Sequence, residues 1–156
     1  MPIAAALQRY LARQGIEYEA VPHSQAFSAS RIAQASHVPG DRGAKAVVLK
    51  GEGGYCLAVL PASRRLQVDE LRDSYNLLVE MATEKEIGAL FQDCELGAIP
   101  PIGAAYGLEA IVDESLPEEG EVYFEAGDHA TLLRVAAGAF RKLMGDVKRG
   151  RFSART

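Results

Sequence analysis

The chain has 156 residues, 48% of them hydrophobic, and a formal net charge of −4. That length and apolar content predict one domain over 1–156 with a proper core, and the negative charge argues against a protein that coats DNA or RNA by neutralising many phosphates. Two cysteines, Cys56 and Cys94, with no CxxC, supply neither a disulfide framework nor a metal-ligand pairing and fit reduced thiols in a cytoplasmic setting.

In chain order, Ile3, Leu7, Tyr10 and Leu11 recur at helical spacing, with Arg9 and Arg13 on another face and Gly15 placed to end the helix. Gln8, Arg9 and Arg13 interrupt what would have to be the apolar part of an export signal, and no apolar run approaches the length of a membrane span. Residues 18–21 alternate weakly and stop at Pro22, after which Ser28 or Ser30 caps a short helix through Ile32 and Ala35, and 38–43 reads as a loop. The most strand-like stretch, AKAVVLK at 44–50, precedes a glycine turn at 51–54 and the run YCLAVLP at 55–61, which together predict a hairpin in the sheet core. On a period of two Lys45 shares a face with Val47 and Leu49, so its ammonium starts at the edge of a largely apolar surface and must find an anion or snorkel to water.

Residues 65–68 predict a further strand and 69–75 a short helix. Thr83 and Glu86 form a capping box for a helix that buries Ile87, Leu90 and Phe91. That helix leads into the loop 91–103, FQDCELGAIPPIG. Pro100 and Pro101 lock their own φ and have no N–H, so free backbone donors concentrate at Gly97, Ala98 and Ile99 and again at Ile102 and Gly103. Such a stiff row of amides suits an anionic oxygen, or it is simply a tight connection between packed elements. Residues 108–113 and 121–127 read as strands separated by an acidic, proline-containing loop. The stretch 129–145 fits one helix, or a strand over 131–135 followed by a helix over 137–144. A basic tail, about 146–156, closes the chain as a solvated, flexible end. The pattern as a whole predicts a mixed α/β (α+β) fold with a curved, largely antiparallel sheet flanked by helices.

Common catalytic signatures are missing: there is no HExxH and no GxSxG, and Gly40, Gly43 and Lys45 have the wrong spacing for a P-loop. His23 follows a proline-ended strand, His37 lies in a polar loop, and His129 comes just after Gly127 and Asp128 at a strand end. Cys94 with His129 would suit a thiol nucleophile, or Cys94 is a packed spectator.

Taken together, AKAVVLK, LAVLPASRRL, DCELGAIPPIG and VYFEAGDH, spread in order from His23 to Met144, resemble the YbaK/prolyl-tRNA-synthetase-associated editing domain family, the ProX-type deacylases, in a free-standing form. The resemblance implies a curved mixed sheet and hydrolysis of the ester of a mischarged aminoacyl-tRNA carrying Ser, Thr, Ala or Cys. It places Lys45 at the family's functional lysine, Gly97, Ala98, Ile99, Pro100 and Pro101 at its GxxxP loop, and Gly127 and His129 in the glycine-histidine stretch near the pocket. The implied partner is the aminoacylated 3′ end of tRNA, with a synthetase or elongation factor as candidate helper and no role for DNA or membrane.

An aminoacyl ester is already activated, so such a site needs orientation and oxyanion stabilisation more than a strong nucleophile. The expected arrangement has N–H groups of Gly97 and Ala98 holding the carbonyl oxygen, and Lys45 holding the terminal adenosine's phosphate or the attacking oxygen. Water aided by the substrate's own 2′-hydroxyl attacks, and a small pocket near Ile99, Pro100 and Cys94 sets specificity. No metal or other cofactor is expected. The rival reading is a binding module that holds a tRNA end, a nucleotide or a protein without hydrolysis.

Overall fold

The computed structural model describes residues 3–22 and 40–155; the expected short helix through Ile32 and Ala35, with His23 and His37, lies outside them. The described elements begin with α1 (Ala5–Gln14), β1 (Glu19–Pro22), β2 (Gly43–Gly51), β3 (Gly54–Pro61), β4 (Arg64–Leu66) and α2 (Val68–Ser74). They continue with β5 (Val79–Met81), α3 (Glu84–Leu90), β6 (Glu109–Asp113), β7 (Glu121–Glu125), β8 (Thr131–Ala136), α4 (Ala137–Met144), β9 (Lys148–Gly150) and β10 (Ser153–Arg155). Single 3-10 turns occupy Gly40–Arg42 and Gly103–Tyr106.

The hairpin expected at 44–61 is the centre of the fold. β2 and β3 pair antiparallel along their whole length, from Ala44 opposite Pro61 to Gly51 opposite Gly54. Gly54 closes the turn at φ 123°, a conformation that glycine adopts without strain. The main sheet runs β1-β8-β7-β2-β3-β6-β9, with β5 added to β2. β2 to β7, β3 to β6 and β6 to β9 are parallel, and the remaining ladders are antiparallel, so the sheet is mixed as expected.

Apolar residues on both faces of the hairpin are buried, which is why these strands read as continuous runs rather than alternations. On one face Val48, Leu57 and Val59 pack with Leu7 and Leu11 of α1 and Phe140 and Leu143 of α4. On the other, Leu49 and Ala58 pack with Leu71 of α2 and with Phe152. The fully buried Leu7 and Leu11 confirm the helical spacing of α1, and Gly15 ends the helix at φ 63°.

The ambiguous stretch resolves as strand then helix. β8 is laddered on both edges, to β1 and to β7, and those non-local hydrogen bonds outweigh the helical spacing of Leu132 and Ala136. The strand expected at 65–68 ends at Leu66 because Val68 already opens α2. The basic tail is a correction: it is not a loose end. Lys148–Gly150 joins the sheet beside β6, β10 pairs with β4, and Phe152 between them is fully buried. Two of its charges are engaged as well, Arg151 with Glu114 at 3.0 Å and Arg155 with Asp41 at 3.3 Å. No helix among the described residues is long and apolar enough to cross a membrane.

The capping box forms as expected: Glu86 N–H donates to Thr83 Oγ1 at 3.2 Å, and Thr83 N–H donates to Glu86 Oε1 at 3.0 Å. Glu86 also accepts from the Tyr55 hydroxyl at 2.5 Å and pairs with Lys50 at 3.0 Å, tying the helix start to the hairpin. Thr83→Ala is expected to lower stability by about 1 kcal/mol, the usual worth of such a cap, read as a reduced midpoint in urea. Of the three residues expected to be buried on this helix only Phe91 is fully so; Ile87 and Leu90 remain partly exposed.

Candidate active site

The partial exposure of Ile87 has a structural origin in the way β2 shares its edges. β3 covers one edge completely. The other edge is divided between β7, which pairs with Gly43 and Ala44, and β5, which pairs with Leu49, Lys50 and Gly51. Between these partners, residues 45–48 carry no strand ladder among the described residues; Val48 O accepts only the Ala82 N–H, at 3.0 Å.

The split leaves a cavity of about 320 Å³. Its walls are 44–48 of β2, Met81 and Ala82 before α3, Glu84 and Ile87 on α3, Leu96, Gly97 and Ile99 of the Gly/Pro loop, and Glu125 at the end of β7.

Two ionisable side chains enter from neighbouring strands. Ala44 is opposite Phe124, so Lys45 and Glu125 follow one rung on and lie on the same face. Lys45 is half-buried, its Nζ donates to Ala62 O at 3.4 Å, and burial pushes its pKa down. Glu125 is 7% exposed, and burial first, then the charge of Asp128, raise its carboxyl pKa to about 8. A carboxyl and an ammonium that both resist ionisation here mark a water-poor recess.

The loop 91–103 is fixed from behind. Cys94 N–H donates to Phe91 O at 3.1 Å, Glu95 N–H to Gly127 O at 2.8 Å, and His129 Nε2 bonds to the Leu96 carbonyl. Gly97 takes φ 83°, which turns the chain so that its N–H and that of Ile99 have no backbone partner among the described residues. Phe91, Ala98, Pro100, Pro101 and Ile102 face inward and are buried.

Of the residues expected at the site, Lys45, Gly97 and Ile99 line this cavity. Ala98 is corrected: its N–H donates to Glu95 O at 3.1 Å and is fully buried, so it offers no donor to a ligand. Pro100 and Pro101 stiffen the loop from beneath it instead of lining the cavity. Gly127 lies behind the loop at φ 114°, where an added Cβ would stand 3.0 Å from Ala4 Cβ and 3.3 Å from Cys94 Sγ. His129 is buried and positions the loop through Leu96. Cys94 is also outside the cavity; its Sγ contacts the Tyr106 hydroxyl at 3.3 Å, and burial pushes its thiol up to about 12. Burial of this kind disfavours the thiolate that a nucleophilic cysteine needs.

Glu125 escaped the sequence reading. Period-two alternation in EVYFEAG groups it with Tyr123, away from Val122 and Phe124, and nothing in its neighbourhood announces the gap beside β2. A second hollow of about 410 Å³ lies across the sheet, lined by apolar residues of β6 and α4 with Glu109, Asp146 and Lys148. Among the described residues that line it there is neither the stiff amide row nor a buried carboxyl. Among the described residues no group of three His, Cys, Asp or Glu side chains is placed to hold a metal ion.

A family model for the aminoacyl-tRNA editing domain matches residues 23–143. The chain belongs to that family. Three solved structures place the editing domain's fold in context. A candidate trans-editing enzyme for prolyl tRNA synthetase superposes with a TM-score of 0.81 at 25% identity, over 99% of this chain and 98% of that one. A scaffold from computational epitope grafting superposes at 0.80 with 20% identity, over 100% of this chain and 99% of that one, and shares the fold. A candidate signal transduction protein from Marinobacter aquaeolei VT8 contains the same fold within a longer chain: TM-score 0.75, 18% identity, 96% of this chain but 30% of that one. No curated protein matches the sequence closely enough to count as a relative.

Proposed function

We propose that this editing domain is a trans-acting deacylase that hydrolyses the ester of a mischarged aminoacyl-tRNA carrying a small amino acid. The observation that carries the reading is that Lys45 and the amides of Gly97 and Ile99, which have no backbone partner among the described residues, border one cavity. The similarity to a candidate trans-editing enzyme supports it.

In this mechanism the aminoacyl group enters between β2 and the loop, and the ester carbonyl lies against the Gly97 N–H. Lys45 holds the terminal phosphate or the attacking oxygen. Water attacks the carbonyl carbon with help from the neighbouring ribose hydroxyl. The resulting oxyanion is held by the preset amide, and the ester C–O bond then breaks as the proton given up by the attacking water, relayed through the neighbouring ribose hydroxyl, passes to the leaving ribose oxygen. Met81 and Leu96, 57% and 46% exposed at the cavity mouth, offer an apolar shelf for the terminal adenine. A cavity of about 320 Å³ is at the small end of ligand sites, in keeping with selection by size. Of the three residues expected to set that limit, Ile99 is the one on the wall.

The test is release of amino acid from a panel of tRNAs mischarged with Ser, Thr, Ala or Cys. Turnover of at least one is expected; tight binding of the panel without release would instead make the protein a tRNA-end binding module, a reading that the net charge of −4 leaves in play. Cys94→Ser is expected to keep deacylation within about two-fold, because the thiol lies outside the cavity; a loss of 10²-fold or more would restore the thiol mechanism.

A further inference from the structure

We infer that Glu125 is the residue that reads the free α-ammonium of the aminoacyl group, so that the site accepts aminoacyl esters and rejects those whose amine is blocked. The inference rests on the deacylase reading and names what part of the substrate its cavity recognises.

The geometry comes first. Glu125 ends β7 one rung beyond the Ala44–Phe124 pair, beside Lys45, and both side chains border the same cavity. It is 7% exposed, whereas Glu84, the other acid on the cavity wall, is exposed at the start of α3. The loop contributes Leu96, Gly97 and Ile99, none of them ionisable, and β2 contributes Lys45 as its one charged group on the wall. A ligand that places its ester at Gly97 and its small side chain against Ile99 has one polar group left within the recess, its α-ammonium. Among the described residues the one buried acid on that wall is Glu125.

Charge supports the same pairing. With Asp128 nearby and little water, the empty site keeps a proton on Glu125 up to about pH 8. An arriving ammonium stabilises the carboxylate, so that proton leaves to solvent as the ion pair forms: RCOOH and R′NH3+ become RCOO−···+H3NR′ and H+. An N-acetyl group brings no cation and adds bulk in a cavity of about 320 Å³. Peptidyl-tRNA and other N-blocked esters are thereby excluded by the same contact that binds the substrate.

The experiment compares a free-amine aminoacyl-tRNA with its N-acetylated form in the wild type and in Glu125→Gln. The wild type is expected to favour the free amine by about 30-fold to 10³-fold in kcat/KM, the range for losing one partner of a buried charge pair. Glu125→Gln is expected to lose most of that preference through a raised KM for the free-amine ester. An unchanged preference in a folded Glu125→Gln overturns the inference while leaving the deacylase intact; no hydrolysis of any ester by the wild type removes the deacylase reading itself. A measurement on the wild type alone needs no variant. A non-hydrolysable 3′-aminoacylamino adenosine should bind at pH 7 with release of a proton, seen as a buffer-dependent heat, and its N-acetyl form should bind at least ten-fold more weakly without proton release. Equal binding of the two forms also overturns the inference.

Discussion

Lys45→Ala is expected to lower kcat/KM for deacylation by about 10²-fold to 10³-fold, the scale of losing one preset group that holds developing negative charge. The protein should remain folded. In the structure the Lys45 ammonium has a long contact of 3.4 Å to Ala62 O, and burial already disfavours its charged form, so removing it deletes little that stabilises the native state. A change in the urea midpoint equivalent to less than about 1 kcal/mol should accompany the loss of turnover. Lys45→Arg should recover only a small part of the activity, because a planar guanidinium fills more of the cavity than a compact ammonium and presents its donors in a fixed fork. Turnover of Lys45→Ala within three-fold of wild type, with the fold intact, would remove this lysine from the mechanism and leave the cavity without its cation.

What was legible in the sequence was local. The hairpin at β2 and β3, the helix start at Thr83 and the glycine end of α1 depend on residues a few positions apart, and propensity, capping and turn chemistry act over that range. The three-residue strands β5, β9 and β10 were not legible. Each exists because a distant edge, on β2, β6 or β4, accepts it, and three residues carry too short a pattern to announce the pairing. The same holds for the candidate site. Lys45 and Gly97 carry local signals, an ammonium on an apolar strand and a glycine before a double proline. The cavity between them is created by the division of one strand edge between β5 and β7, a property of the assembled sheet. Ala98 shows the limit at the level of a single amide: composition identifies a free-donor row, but the hydrogen bond to Glu95 decides which of its members is available. Glu125 gives no warning because its burial is conferred by neighbours remote in the chain.

Glu125 has a second consequence, opposite in sign to that of most native carboxylates. Its pKa in the folded protein is raised to about 8 from the ordinary 4.5, by burial and then by Asp128. The folded state therefore binds this proton more tightly than the unfolded chain does. The associated stability is fully present below about pH 4.5 and is progressively lost as pH rises toward 8, above which both states are ionised and the whole penalty is felt. At 1.36 kcal/mol for each pH unit between the two values, the ceiling is about 5 kcal/mol, a large share of the stability of a chain this size. Lys45, whose pKa burial lowers, lines the same cavity and is common to the wild type and to Glu125→Gln, so the difference between their two curves reports the carboxyl alone. Glu125→Gln keeps the shape and removes the titration. Its urea midpoint is expected to fall less than that of the wild type between pH 5 and pH 9 and to exceed it at the alkaline end, by an amount approaching that ceiling. Parallel curves for the two proteins would mean that Glu125 ionises in the folded state as it does in water, and the recess beside Lys45 would then be wet.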